Sequence, residues 1–144
     1  MRMKDGKLVK ATLTPAKPPG DWRTMVITLQ GEVLFQTGKW DLKPGAMAKL
    51  DEIANALKGK EQPITVYGYT DNVGTYDNNM VLSQHRAESV RSYLVSKGLP
   101  QDLLTAQGKG PDSPISDNNS IEGRAQNRRV EIVVQPKASR RSGP

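Results

Sequence analysis

One carboxylate, Asp71, closes an apolar run in the stretch Tyr67-Gly68-Tyr69-Thr70-Asp71-Asn72-Val73-Gly74. One arginine, Arg86, falls on the apolar side of a helix-like segment containing Leu82-Ser83-Gln84-His85-Arg86-Ala87. A second arginine pair opens the last strand-like segment, Asn127-Arg128-Arg129-Val130-Glu131. A carboxylate and a guanidinium brought together can grip a zwitterion, one taking its ammonium and the other its carboxylate. That is the chemistry of a site for an amino-acid-like head group.

The helix-like segment explains why Arg86 is singled out. Leu82, Arg86, Val90 and Leu94 recur every four residues, and Tyr93 joins them, so they form one stripe facing the body of the domain. A cation in the middle of such a stripe needs a carboxylate, several carbonyls or an anionic ligand, because an unpaired, partly buried charge is costly. Asp71 is the natural partner, since crevices beyond the carboxyl ends of strands are common ligand sites in sheets with parallel pairing. The blander alternative is a structural Asp71–Arg86 ion pair that never meets ligand. In the last strand Val130, Ile132 and Val134 share one parity and should face the core. Arg128 has the same parity and Arg129 and Glu131 the other, so Arg128 is the better pocket residue. The bland alternative is that Arg128 packs its stem and bonds loop carbonyls.

Other constellations carry less. His85 is the single histidine, without a second for metal or triad chemistry, and reads as a helix-surface residue. No Gly-rich phosphate loop with a following Lys-Ser or Lys-Thr is present, and Gly108-Lys109-Gly110 reads as a turn. Asp71, Asn72, Asp77, Asn78 and Asn79 lack the ligand spacing and terminal Glu of a calcium loop, so caps and turns explain them better. There is no cysteine, which removes disulfides, thiolate metal sites and cysteine nucleophiles. No metal site, cofactor or catalytic set emerges.

The elements that must position these residues follow from pattern. Met25–Leu29 is β-branched and apolar, and Val33-Leu34-Phe35 resumes after Gly31-Glu32, which reads as a strand or a bulged hairpin. Pro44-Gly45 opens a helix whose apolar positions are Met47, Leu50, Ile53, Ala54 and Leu57, with Gly59 as its stop. Pro63–Tyr69 is a second strand, and Asn72-Val73-Gly74 turns the chain. Asp77, Asn78 or Asn79 caps the next helix, which runs to about Lys97 with Gly98 beyond. Leu103–Gln107 is a short third strand, residues 108–127 a long Gly-, Pro-, Asp- and Asn-rich loop, and Arg129–Val134 the last strand. The order β–α–β–α–β–β predicts an α+β fold, an α/β sandwich with helices packed on a mixed sheet.

Composition bounds the rest. The 144 residues suit one domain with a core that must be mostly aliphatic, since aromatic content is 5%. Residues 1–20 end in Pro15-Ala16-Lys17-Pro18-Pro19-Gly20 and read as a flexible basic linker; residues 21–135 read as the folded domain and 136–144 as a disordered tail. The net charge of +6 comes from those ends: residues 1–20 carry +4, residues 137–144 carry +3, and residues 21–136 carry −1. A nucleic-acid binder concentrates basicity on its folded face, so that function class is set aside. No run approaches the ~20 apolar residues that span a bilayer. Met1–Gly6 has no apolar signal-peptide core, so an exported parent protein would extend beyond this sequence.

Taken together, these motifs resemble the OmpA-like C-terminal peptidoglycan-binding domain shared by OmpA, the peptidoglycan-associated lipoprotein Pal and the MotB stator. The resemblance runs from about Val33 to Val134. It is carried by Thr70-Asp71 with Gly74, Asn79 with Leu82-Ser83, Arg86-Ala87 and Asn127-Arg128-Arg129-Val130-Glu131. It implies non-covalent binding of peptidoglycan through the diaminopimelate of its peptide stem. Asp71 would take the ligand's ammonium and Arg86 its carboxylate; Thr70, Asn79 and Arg128 would line the same pocket; backbone at Gly38 would close its far side. It further implies a periplasmic domain whose parent is tethered to the outer or inner membrane. Two departures stand out. Tyr69 replaces the histidine that often precedes Thr-Asp. The loop Gln36-Thr37-Gly38-Lys39-Trp40 lacks the family's frequent Asp and Asn, so a side-chain contact there is missing or supplied by Trp40.

The competing readings are a protein-interaction module of an envelope motor or secretion complex that keeps the fold without ligand binding, and a wall enzyme. The first would bury Asp71 and Arg86 fully. The second would need a nucleophile, a metal or a second carboxylate beside Asp71, so the domain reads as not an enzyme.

Overall fold

The structure is a computed structural model and describes residues 23–136. The linker expected over residues 1–20 and all but Pro136 of the expected tail lie outside the described residues.

Four strands, β1 (Met25–Gln30), β2 (Ile64–Tyr69), β3 (Leu104–Gly110) and β4 (Arg129–Val134), form one sheet in the order β1-β4-β2-β3. β4 is antiparallel to both β1 and β2, and β2 is parallel to β3. Four helices accompany them: α1 (Gly31–Leu34), α2 (Pro44–Leu57), α3 (Tyr76–Ser96) and α4 (Ile121–Asn127). The fold is therefore α+β with a mixed sheet, as the pattern of apolar residues implied.

Register explains which residues are inside. Val130, Ile132 and Val134 pair with Gly68, Val66 and Ile64 on β2, and with Leu29, Ile27 and Met25 on β1. This shared parity builds the aliphatic face onto which Leu50, Ile53, Ala54 and Leu57 of α2 and Ala87, Val90 and Leu94 of α3 pack. Pro44 is the first residue of α2, where its missing N–H costs nothing. Met47 is exposed, and Ala46 takes the inward place in that first turn.

Three local expectations are corrected. Val33-Leu34-Phe35 does not resume a strand: Gly31–Leu34 forms one helical turn, and Phe35 makes only an isolated bridge to Leu42. The cause is a close approach, since Gly31 N donates to Arg128 O at 2.7 Å and ends the pairing. The cap of α3 is Thr75, whose hydroxyl accepts from Asn78 N at 3.1 Å; Asp77, Asn78 and Asn79 lie within the helix. Residues 108–127 are not one loop, because β3 continues through Gly108-Lys109-Gly110, and Ser120 caps α4 by accepting from Gly123 N.

Two glycines set the height of α3 over β2 and β3. A Cβ on Gly68 would lie 2.3 Å from Ser83 O, and one on Gly108 would lie 2.4 Å from Gln84 N. Without side chains there, Ser83 Oγ reaches Gly110 N at 2.9 Å and Gln84 Oε1 reaches Gly108 N at 2.7 Å. The N-terminal half of α3 is thereby pinned to the strand ends, beside the end of β2 that carries Thr70-Asp71.

Candidate functional site

Four segments meet at that end of the sheet: the residues after β2, the first half of α3, α1 with the loop after it, and the α4–β4 junction. They enclose a cleft of about 360 Å³. All six residues singled out from the sequence, Thr70, Asp71, Asn79, Arg86, Arg128 and Gly38, line it. Glu32, Thr37, Val73 and Leu82, which the sequence reading did not single out as pocket residues, line it too.

Asp71 and Arg86 do not bond to each other; each is held by other groups. Asp71 Oδ1 accepts from Val73 N at 3.0 Å and its Oδ2 from Arg128 Nη1 at 2.7 Å. Arg128 uses its other terminal nitrogen on Glu32 Oε2 at 2.6 Å, so Glu32, Arg128 and Asp71 form a carboxylate–guanidinium–carboxylate row. Neither bland alternative holds in the form expected. There is no Asp71–Arg86 ion pair, and Arg128 bonds carboxylates rather than loop carbonyls. Each Asp71 oxygen keeps a lone pair for a further donor.

Arg86 is 6% and Asp71 8% exposed, and both line the cleft, so the pair is largely but not fully buried. Arg86 Nε donates to Lys39 O at 2.8 Å and Nη2 to Gln36 O at 3.2 Å. Its guanidinium carbon lies 4.8 Å from the centre of the Phe35 ring. Among the described residues, nothing accepts from Nη1, and no carboxylate forms an ion pair with Arg86. Electrostatics separate the two arginines. Desolvation and then the neighbouring Arg128 lower the pKa of Arg86, with Asp71 opposing. Desolvation also acts against Arg128, but its bonds to Glu32 and Asp71 outweigh this and the net direction is upward. Arg86 is the cation of the cleft whose charge lacks a matching anion.

The remaining residues frame the cleft. Asn79 Nδ2 donates to Val73 O at 2.9 Å and more weakly to Asp71 O, which folds the 71–75 loop over the end of β2. Thr70 is tied to β3 through Gly110 O and donates its hydroxyl to Asp71 O. Gly38 has φ +73 and turns the loop after α1 back towards Arg86. Trp40 does not enter the cleft. Its ring stacks on His85 at 4.3 Å between centroids and 21° between planes, outside the lining residues. Of the two alternatives for this loop, a contact supplied by Trp40 is not met, and Thr37 is the side chain the loop offers to the cleft. Glu32 and Thr37 carry no signal in the sequence, since neither is part of a periodic or spaced pattern.

Residues 34–128 match the OmpA family. The chain belongs to that family. Probable lipoprotein YiaD of Escherichia coli (strain K12) is 42% identical over 115 residues, covering 78% of this chain and 52% of YiaD. The chain thus spans about half the length of that relative. The solved cell wall anchor of the T6SS from Pseudomonas aeruginosa superposes with a TM-score of 0.74 at 33% identity, covering 81% of this chain and 85% of that one. The peptidoglycan-associated lipoprotein of Burkholderia pseudomallei superposes with a TM-score of 0.66 at 32% identity, covering 72% of this chain and 88% of that one. As a member of the OmpA family, the chain shares its fold with a cell wall anchor and a peptidoglycan-associated lipoprotein.

Proposed function

We propose that this OmpA-family domain binds peptidoglycan non-covalently through the diaminopimelate of the peptide stem, and so anchors an envelope protein to the cell wall from the periplasm. The observation that carries this reading is the under-matched, buried Arg86 in the same cleft as Asp71. A ligand carboxylate on Arg86 Nη1 completes the charge balance of that guanidinium. A ligand ammonium on the free lone pairs of Asp71 joins Val73 N and Arg128 there without displacing either. Thr70, Asn79, Arg128 and the backbone at Gly38 shape the cleft around such a zwitterion. A neutral or singly charged side chain leaves one partner unmatched, which is the source of discrimination. The chemistry is that of binding alone, with no enzymatic step.

The test is co-sedimentation with purified diaminopimelate-type sacculi, beside Asp71→Ala and Arg86→Ala variants with circular dichroism matching wild type. Wild type is expected in the pellet. Each variant is expected to lose at least about tenfold in affinity, the scale for truncating one partner of a desolvated charge pair. Wild type remaining in solution, or folded variants sedimenting equally well, overturns the zwitterion clamp and favours the interaction-module reading.

A further inference from the structure

Trp40 and His85 sit beside the cleft without entering it, and their position has a consequence for Arg86. On α3, His85 and Arg86 are consecutive; on the loop after α1, Lys39 and Trp40 are consecutive. Arg86 holds the Lys39 carbonyl at 2.8 Å, and His85 stacks against the Trp40 ring at 4.3 Å. Adjacent residues of the helix thus grip adjacent residues of the loop, one grip on the cleft side and one on the flank. Between Phe35 and Leu42 the loop is otherwise tied down only by the Gln36 O bonds to Lys39 N and to Arg86 Nη2, among the described residues. Thr37 and Gly38, which wall the cleft, lie inside this span. The stack is half open to water: Trp40 is 43% exposed and the His85 side chain 42%. Glu88 Oε1 lies 3.8 Å from His85 Nδ1 on the same helix.

We propose that the Trp40–His85 stack is a latch. It positions the Thr37–Gly38 wall, and the two carbonyls that aim Arg86, before ligand arrives. The inference rests on the peptidoglycan-stem reading of the cleft. A loop held by only one grip must be ordered by the ligand, and that ordering lowers affinity. Both residues are positioning residues and touch no ligand.

The experiment titrates a soluble stem peptide carrying meso-diaminopimelate into wild type, Trp40→Ala, His85→Ala, the double variant, and the stack-preserving Trp40→Phe and His85→Phe. Amide hydrogen exchange of residues 36–43 is followed without ligand on the same proteins. Each alanine variant is expected to bind about three- to tenfold more weakly, the scale of one aromatic pair. The double variant is expected to be no weaker than either single one, and the phenylalanine variants to bind as wild type does. Exchange at Lys39, whose N–H is bonded to Gln36 O, is expected to quicken in the alanine variants and not in the phenylalanine ones. Alanine variants that bind as wild type does, or losses that add in the double variant, overturn the latch while leaving the stem-peptide reading intact. Wild type that fails to bind the peptide overturns that reading, and the exchange data then decide separately whether the stack holds the loop; unchanged exchange sinks the latch as well.

Discussion

Arg86 and Arg128 share one cleft and are satisfied in opposite ways. Arg128 bridges two carboxylates, whereas Arg86 has two backbone carbonyls and a nitrogen without an acceptor among the described residues. The four-residue stripe made Arg86 legible in the sequence, because a cation among Leu82, Val90 and Leu94 is a conflict that something must resolve. Its partners were not legible, since carbonyls 47 and 50 residues away leave no mark on side-chain pattern. The same holds for Glu32, which meets Arg128 across 96 residues. On the opposite face of the sheet, the Arg129 guanidinium lies 3.7 Å from the centre of the Tyr69 ring and bonds Glu131 at 2.7 Å. Burial, and then the Glu131 carboxylate, push the Tyr69 hydroxyl from 10.0 up to about 12, against Arg129. The folded state therefore keeps a proton that the unfolded chain releases. The resulting stability is complete below pH 10 and is lost as pH rises from about 10 to about 12, amounting to at most about 2–3 kcal/mol. Urea denaturation of wild type and Tyr69→Phe across that window measures it; the phenylalanine variant is expected to show the smaller fall.

At the scale of elements, α3 is the part on which the site depends. Its approach to β2 and β3 requires glycine at 68 and 108, where a Cβ would meet backbone atoms of Ser83 and Gln84. Gly68→Ala is expected to destabilise by about 1–3 kcal/mol through overpacking and to lift the helix carrying Asn79 and Arg86, so stem-peptide binding falls with it. Chemical denaturation and titration calorimetry on the one variant check both effects. Thr75→Ala removes the α3 cap and is expected to cost about 1 kcal/mol by the same denaturation assay, with binding retained. The two long helices and the strands were readable: α2 and α3 have helical periods, and the four strands have apolar or β-branched runs, that survive in sequence. The short ones were not. A helix of four residues, α1, or of seven, α4, is too brief for a 3.6-residue period to register, and each exists because of tertiary bonds. For α1 the bond is Gly31 N to Arg128 O. For α4 it is the buried Asn127, whose side chain ties Ile115, Ser116 and Asn118 to the helix end.

For the whole molecule, the net charge of +6 is misleading as a guide to ligand. Residues 23–136 balance, with 13 basic and 13 acidic side chains, and the excess lies in residues 1–22 and 137–144. The cleft is balanced too, with Glu32 and Asp71 facing Arg86 and Arg128. Attraction of the terminal segments to an anionic wall is screened by salt, whereas contacts inside a cleft are screened much less. Raising salt from about 0.05 to about 0.5 M is therefore expected to change soluble stem-peptide affinity by less than about threefold, while any adherence through the ends is lost. Calorimetry of a 23–136 fragment beside the full chain, at both salt concentrations, separates the two contributions.

By itself the sequence determined the fold class, the four strands, the two long helices and three residues of the cleft, Asp71, Arg86 and Arg128. The elements are written in local pattern and the three residues in charges placed beside or among apolar positions, whereas Thr70, Asn79 and Gly38 came only from the resemblance to the OmpA-like domain. Only the tertiary structure decided which charges meet. It set Arg128 rather than Arg86 on Asp71, brought Glu32 into the row, and turned Trp40 away from the cleft onto His85. Those pairings arise from backbone crossings between segments tens of residues apart, and distance along the chain carries no record of them.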